Sequence, residues 1–234
     1  MDRAHVGPGG LSEAERDLLL AELWGTFTLK LDHAALATQS LRETAYLFMR
    51  ALQGGQVTYK SHDVTDPGAP SSMKTVAIQL GKMPGAGYIA PVEGIDRRGE
   101  SQVSHIIKCC GEGIQHVALR VEGESIETYR RITERLGIRY ITPILYDDRS
   151  QLLQMFTGSL FRSPNPAAGP FIELNQRLDL FDHDPTHFHH ATVQALYRCM
   201  EELQEAGTPI WILDFDRRQF VLRRKERQAR IDAL

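Results

Sequence analysis

The sequence predicts an α+β fold. Two βαβββ modules together form a half-barrel, with one helix before them and one after. Three observations predict it. The segments Leu31–Leu36 (LDHAAL) and Ile114–Leu119 (IQHVAL) are alike, each with a histidine two residues before an alanine. Each leads into a segment of helical spacing. Each helix is followed by three strand-like runs. A repeat of this size is a structural unit, and an open sheet with one apolar face needs its partner to cover it. The predicted divisions are residues 1–26 (arm and helix), 27–110 (first module and connector), 111–184 (second module) and 185–234 (closing helix and basic tail).

Taken in order, Ser12 is placed to cap a helix from Glu13 to about Trp24, and Glu15 completes a capping box. Leu18, Leu19, Leu23 and Trp24 give that helix an apolar face. Phe27–Ala37 alternates as a strand, which assigns Leu29, Leu31, His33, Ala35 and Ala37 to one face. Ser40–Leu52 has helical spacing and stops at Gly54-Gly55. Strands follow at Gln56–Ser61, Lys74–Leu80 and Gly87–Val92, and a short helix at Ser101–Lys108. The second module opens with the strand Gly113–Leu119, with Ile114, His116 and Ala118 on one face. A helix at Ser125–Leu136 carries Ile126, Tyr129, Ile132 and Leu136 on one side. Strands are predicted at Arg139–Ile144, Gln151–Thr157 and Pro170–Gln176. A helix from about Phe188 to Glu205 precedes the basic stretch Arg217–Arg230, which reads as a solvated helix.

Composition narrows the function. A net charge of −3 and no basic face before the last turns exclude a polyanionic partner, so no nucleic acid is expected. No apolar run nears the roughly 20 residues that cross a bilayer, and Met1–Gly10 lacks a basic-then-apolar pattern, so no signal peptide is expected. Three cysteines, two of them adjacent, fit a reducing compartment, so a cytoplasmic location is expected. The apolar face of the first helix allows a homodimer.

A single mid-strand histidine reads as a core residue. His33 and His116, however, hold equivalent places in the two modules, and Glu173 lies between Ile172 and Leu174 in the last strand. A buried carboxylate needs a partner, because an unpaired buried charge is expensive. Two neutral imidazoles and one carboxylate can hold one face of a metal and leave about three positions open, as in non-haem Fe(II) oxygenases. His183, His187, His189 and His190 form a second cluster, which reads as a polar loop and helix start.

The motifs GEGIQHVAL, LLQMFT (Leu152–Thr157) and PFIELNQR (Pro170–Arg177), with LDHAAL and the connector ESQVSHI, resemble the catalytic domain of the 4-hydroxyphenylpyruvate dioxygenase family. That family belongs to the vicinal oxygen chelate superfamily of paired βαβββ modules. The resemblance runs from about residue 29 to 202. It implies that His33, His116 and Glu173 bind Fe(II) and that the partners are O2 and a small-molecule 2-oxo acid, decarboxylated and hydroxylated. It also implies that Gln154 lies beside the substrate and that Phe156 lines the pocket. Gln102 and Gln115 would be polar pocket groups, with Phe188 on a lid helix. By this resemblance the chain would correspond to the family's catalytic half. Val92 stands where the family has asparagine, and Val193 where it has a phenylalanine, so a 2-oxo acid with an aliphatic or differently substituted side chain is expected to be preferred over 4-hydroxyphenylpyruvate. The same modules and triad also serve extradiol ring-cleaving dioxygenases. Isomerases or lyases of the glyoxalase kind usually carry a further protein ligand. A metal-free small-molecule binding module is the non-enzymatic alternative.

Overall fold

The computed structural model describes residues 10–52, 55–65, 67–81, 87–147, 151–160, 169–178, 194–200, 202 and 211–212. Helix α1 (Glu13–Thr26) leads into β1 (Phe27–Ala37). Helix α2 (Leu41–Tyr46) continues as a π-helical turn, Leu47–Ala51, and is followed by β2 (Gly55–Ser61), β3 (Ser71–Leu80) and β4 (Tyr88–Asp96). Helix α3 (Gln102–Cys110) connects to β5 (Gly113–Gly123), α4 (Ile126–Arg135), β6 (Leu145–Asp147), β7 (Leu152–Ser159) and β8 (Phe171–Arg177). The eight strands form one sheet in the order β2-β3-β4-β1-β5-β8-β7-β6. Each module pairs its first strand parallel to its last, β1 with β4 and β5 with β8. The modules join through the antiparallel pair β1–β5. The βαβββ repeat read from the sequence is therefore the architecture.

Local signals place the helices. Ser12 accepts from the Glu15 amide and Glu15 returns the bond to the Ser12 amide, completing the capping box. Ser40, Ser101 and Ser125 cap α2, α3 and α4 in the same way. Helix α4 buries Ile126, Tyr129 and Ile132 as its spacing predicts, against Phe27, Val121, Met155 and Leu174. Leu19 and Leu23 of α1 dock on that same core, whereas Leu18 and Trp24 are exposed, so only half of the apolar face assigned to α1 is used.

The strand predicted at Arg139–Ile144 is not formed. Pro143 lies within it and has no amide proton for a ladder. Tyr140 makes only an isolated bridge to Thr157, the Ile141 amide donates to the Phe156 carbonyl, and the regular edge strand begins after the proline at Leu145. Residues 194–200 are helical, and Leu196 and Met200 pack on Phe156 and Phe171. No helix of the described residues is long and apolar enough to cross a membrane. The His183–His190 cluster and the basic stretch 217–230 lie outside the described residues.

Candidate metal centre

Two β-bulges set the site. The register of β1 against β5 runs Leu31↔Leu119 and then His33↔Ala118, so Asp32 is an extra residue in β1. It also runs Ala35↔His116 and then Leu36↔Ile114, so Gln115 is an extra residue in β5. A bulge breaks strict alternation and re-aims the side chains around it. This corrects the faces read from the sequence. Leu29 and Leu31, assigned to the face of His33, are 43% and 61% exposed, and Ile114, assigned to that of His116, is 52% exposed. The bulges are related by the repeat, for each histidine follows its own bulge residue and faces the alanine two places beyond the other histidine.

Each bulge residue serves the histidine after it. The Nδ1 of His33 donates to the Asp32 carboxylate at 3.0 Å, and the Nδ1 of His116 donates to the Gln115 amide oxygen at 3.2 Å. With both Nδ1 atoms holding protons, both Nε2 atoms turn lone pairs inward. Those two atoms are 3.2 Å apart, and Oε2 of Glu173 lies 3.4 Å from His116 Nε2 and 3.8 Å from His33 Nε2. All three residues are buried. A triangle of these edges has a circumradius of about 2.0 Å, so one cation can meet all three atoms at the ~2.0–2.2 Å of metal–nitrogen and metal–oxygen bonds. Three converging donor atoms of this kind can hold a cation, and the donor set fits a divalent metal.

Without metal, a proton takes that role. Burial pushes both imidazoles towards the neutral form. At His116 burial prevails, but at His33 the hydrogen bond to Asp32 and the charge of Glu173 outweigh it and raise the pKa above the ordinary value. Burial also works against ionising Glu173, yet the hydrogen bond and charges of the two histidines hold its carboxyl below the usual range. A proton on His33 therefore competes with metal. Metal binding is expected to release protons, with affinity rising with pH until His33 is neutral without metal. Calorimetric titration with Co(II) in buffers of different ionisation enthalpy checks this. Buffer-independent heats would contradict it.

The surroundings hold the triad in place. Phe171 stacks on His116 with ring centroids 5.1 Å apart, and Phe156 meets Phe171 edge-on at 6.0 Å. The other oxygen of Glu173 accepts from the Asn175 amide at 3.2 Å. Asp32 is itself anchored, at 2.6 Å by Arg120 and at 3.6 Å by Arg177. The triad opens into a cavity of about 50 Å³, several times the ~10–15 Å³ that one water needs on the same measure. Its lining includes Val64, Met73, Val92, Gln154, Phe156 and Leu196.

The structure thus brings together His33, His116, Glu173, Gln154 and Phe156 around one cavity. Gln115 turns to His116 instead of the cavity lining. Gln102 opens α3, is buried, and has no hydrogen-bond partner for either amide atom among the described residues. It is not among the lining residues. Phe188 and Val193 lie outside the described residues. Sequence reasoning missed Asp32, Arg120, Asn175 and Arg177. Asp32 carried a signal, since an acidic residue inside an otherwise apolar strand needs a partner.

No protein-family model matches the chain, and no curated protein sequence matches it. Among solved structures it is similar to a triple mutant of 4-hydroxymandelate synthase from Streptomyces coelicolor, with a TM-score of 0.55 and 21% identity. The alignment covers 74% of this chain and 54% of that one, so this chain spans about half of that protein's length. Weaker similarities are to a hypothetical protein from Bacillus halodurans C-125 (TM-score 0.46, 19% identity, 67% of this chain and 99% of that one) and to methylmalonyl-CoA epimerase from Mycobacterium tuberculosis (0.47, 18%, 64% and 88%). The first similarity, with the paired βαβββ modules, shows the fold to be the vicinal oxygen chelate half-barrel.

Proposed function

We propose that this protein is a mononuclear non-haem Fe(II) dioxygenase of the 4-hydroxyphenylpyruvate dioxygenase type, acting on a 2-oxo acid. The observation that carries the reading is Ala90. Glu173 pairs with Ala118, two residues after His116, and the repeat-equivalent residue pairs with Ala35, two residues after His33. That residue is Ala90, which cannot bind a metal. The place where the repeat would supply a fourth ligand is therefore open, and it faces the cavity. A three-ligand site with adjacent open positions suits chelation of a substrate beside O2. Isomerases and lyases with a further protein ligand fit it less well.

Charge supports an acid as substrate. Asp32 is paired with Arg120 and Arg177, which leaves Glu173 as the one anionic donor facing the metal position, so a bound divalent metal would keep an excess of positive charge. A carboxylate and a keto oxygen from one substrate offset part of that excess. Bound Fe(II) would supply O2 activation for decarboxylation and hydroxylation. The chain's own part is to fix three donor atoms, exclude water with Val64, Met73, Val92 and Leu196, and seat the substrate side chain against Phe156. An extradiol ring-cleaving dioxygenase, built on the same modules and triad, is the second reading.

Val92 is 2% exposed and gives the cavity wall no polar group. A phenol hydroxyl buried against it would go unsatisfied, at about 1–3 kcal/mol. Branched aliphatic 2-oxo acids are therefore expected to exceed 4-hydroxyphenylpyruvate in kcat/KM by about 10- to 100-fold. The test loads the protein with Fe(II) anaerobically, adds a panel of 2-oxo acids and then O2, and measures CO2. If iron binds but no 2-oxo acid yields CO2, the dioxygenase reading fails. If 4-hydroxyphenylpyruvate is turned over best, only the inference from Val92 fails.

A further inference from the structure

We propose that Cys109, at the end of α3, is a nucleophilic thiol activated by His105 and Glu100, and that hydrogen peroxide oxidises it there to a sulfenic acid. This site is separate from the metal centre and does not rest on its function. His105 and Cys109 are four residues apart on α3, so they lie on one side of the helix. Nε2 of His105 is 3.7 Å from Sγ of Cys109. On the other side of the ring, Nδ1 is 2.9 Å from Oε2 of Glu100.

The order of these contacts fixes the proton. A carboxylate only accepts, so Nδ1 of His105 must donate to Glu100. That leaves the Nε2 lone pair facing the thiol. Lys108 holds the second Glu100 oxygen at 3.2 Å, which keeps the carboxylate in place. The His105 hydrogen bond, and then that from Lys108, hold Glu100 below the usual carboxylate range, so it is ionised at neutral pH. Nucleophile, base and orienting carboxylate are thus in series. His105 is buried and positions the base, while Cys109 is exposed and within reach of a small solute. Neighbouring Cys110 is also exposed but shares no such contact with His105, and burial, then the Cys109 charge, pushes its thiol up. It is the internal control.

In the reaction the Cys109 thiol passes its proton to Nε2 of His105. The thiolate sulfur attacks one peroxide oxygen, forming an S–O bond as the O–O bond breaks. The departing hydroxide takes the proton from the imidazolium and leaves as water. The sulfur loses two electrons and the peroxide gains them.

The test treats the full-length protein, kept free of iron with a chelator, with hydrogen peroxide and a dimedone trap. Peptide mass spectrometry then gives a rate for each cysteine. Cys109 is expected to be trapped at least about tenfold faster than Cys110 and Cys199. His105→Gln should bring it to within about twofold of Cys110, and Glu100→Gln, a change at a more exposed residue, should lower it severalfold with the helix intact by circular dichroism. Equal rates at Cys109 and Cys110, or a Cys109 rate unchanged in Glu100→Gln, would overturn the proposal even if His105→Gln failed to fold.

Discussion

Glu173→Gln is expected to abolish metal-supported turnover and to weaken Fe(II) binding by more than about 100-fold, with the fold retained. The amide has the shape of the carboxylate but no charge. In the wild-type protein Oε2 of Glu173 is the one anionic donor in a triangle otherwise made of imidazole nitrogens. Burial of that charge is costly, and without metal it is offset only by the histidines and the Asn175 amide. The metal-free variant should therefore be at least as heat-stable as the metal-free wild type. Ferrous titration, CO2 release and thermal melting of both metal-free proteins check this. A variant that keeps stoichiometric iron and wild-type turnover removes Glu173 from the ligand set.

Asp32→Ala is expected to cost about 3–5 kcal/mol of stability, the usual penalty for breaking a buried ion pair from one side. Asp32 is 6% exposed and is the shared partner of Arg120, Arg177 and His33. Its loss strands two cations and unlocks the ring of His33. Metal affinity should fall by about 10- to 100-fold as well, the range for groups that orient a ligand. Asp32→Asn keeps an oxygen for Nδ1 of His33, so it should recover most of the metal affinity but not the stability. The charge sets a pH limb too. Burial opposes ionisation of Asp32, but the His33 hydrogen bond and the His33, Arg177 and Arg120 charges prevail, so its carboxyl is held well below the usual range. Its contribution is thus complete above about pH 4 and is lost as pH falls further, and Asp32→Ala should flatten that loss. Urea denaturation across pH measures both effects. A variant within about 1 kcal/mol of wild type at pH 7 would show that the arginines find other partners.

These variants also separate two kinds of information. The sequence by itself determined the repeat, the order of its strands and helices, and the three residues that the structure brings together as a candidate metal site. LDHAAL and IQHVAL are visible without a structure, and a glutamate set in an apolar strand marks its own need for a partner. Capping serines before α1, α2, α3 and α4 are local as well, because a cap is made within one helical turn. Alternation along a strand is local only while no residue is extra.

What the tertiary structure decided is where alternation stops. Whether Asp32 and Gln115 are bulges depends on the register between β1 and β5, strands whose histidines stand 83 residues apart. Nothing within either strand announces it. Those two bulges expose Leu29, Leu31 and Ile114, and they place a hydrogen-bond acceptor behind each histidine. The same pairing identifies Ala90 as the repeat partner of Glu173, a relation between positions that share no motif. Arg120 and Arg177 could not be assigned to Asp32 from the chain for the same reason. Ion pairs across strands are fixed by which strands are neighbours, and that is settled by packing the two modules together, not by any one segment.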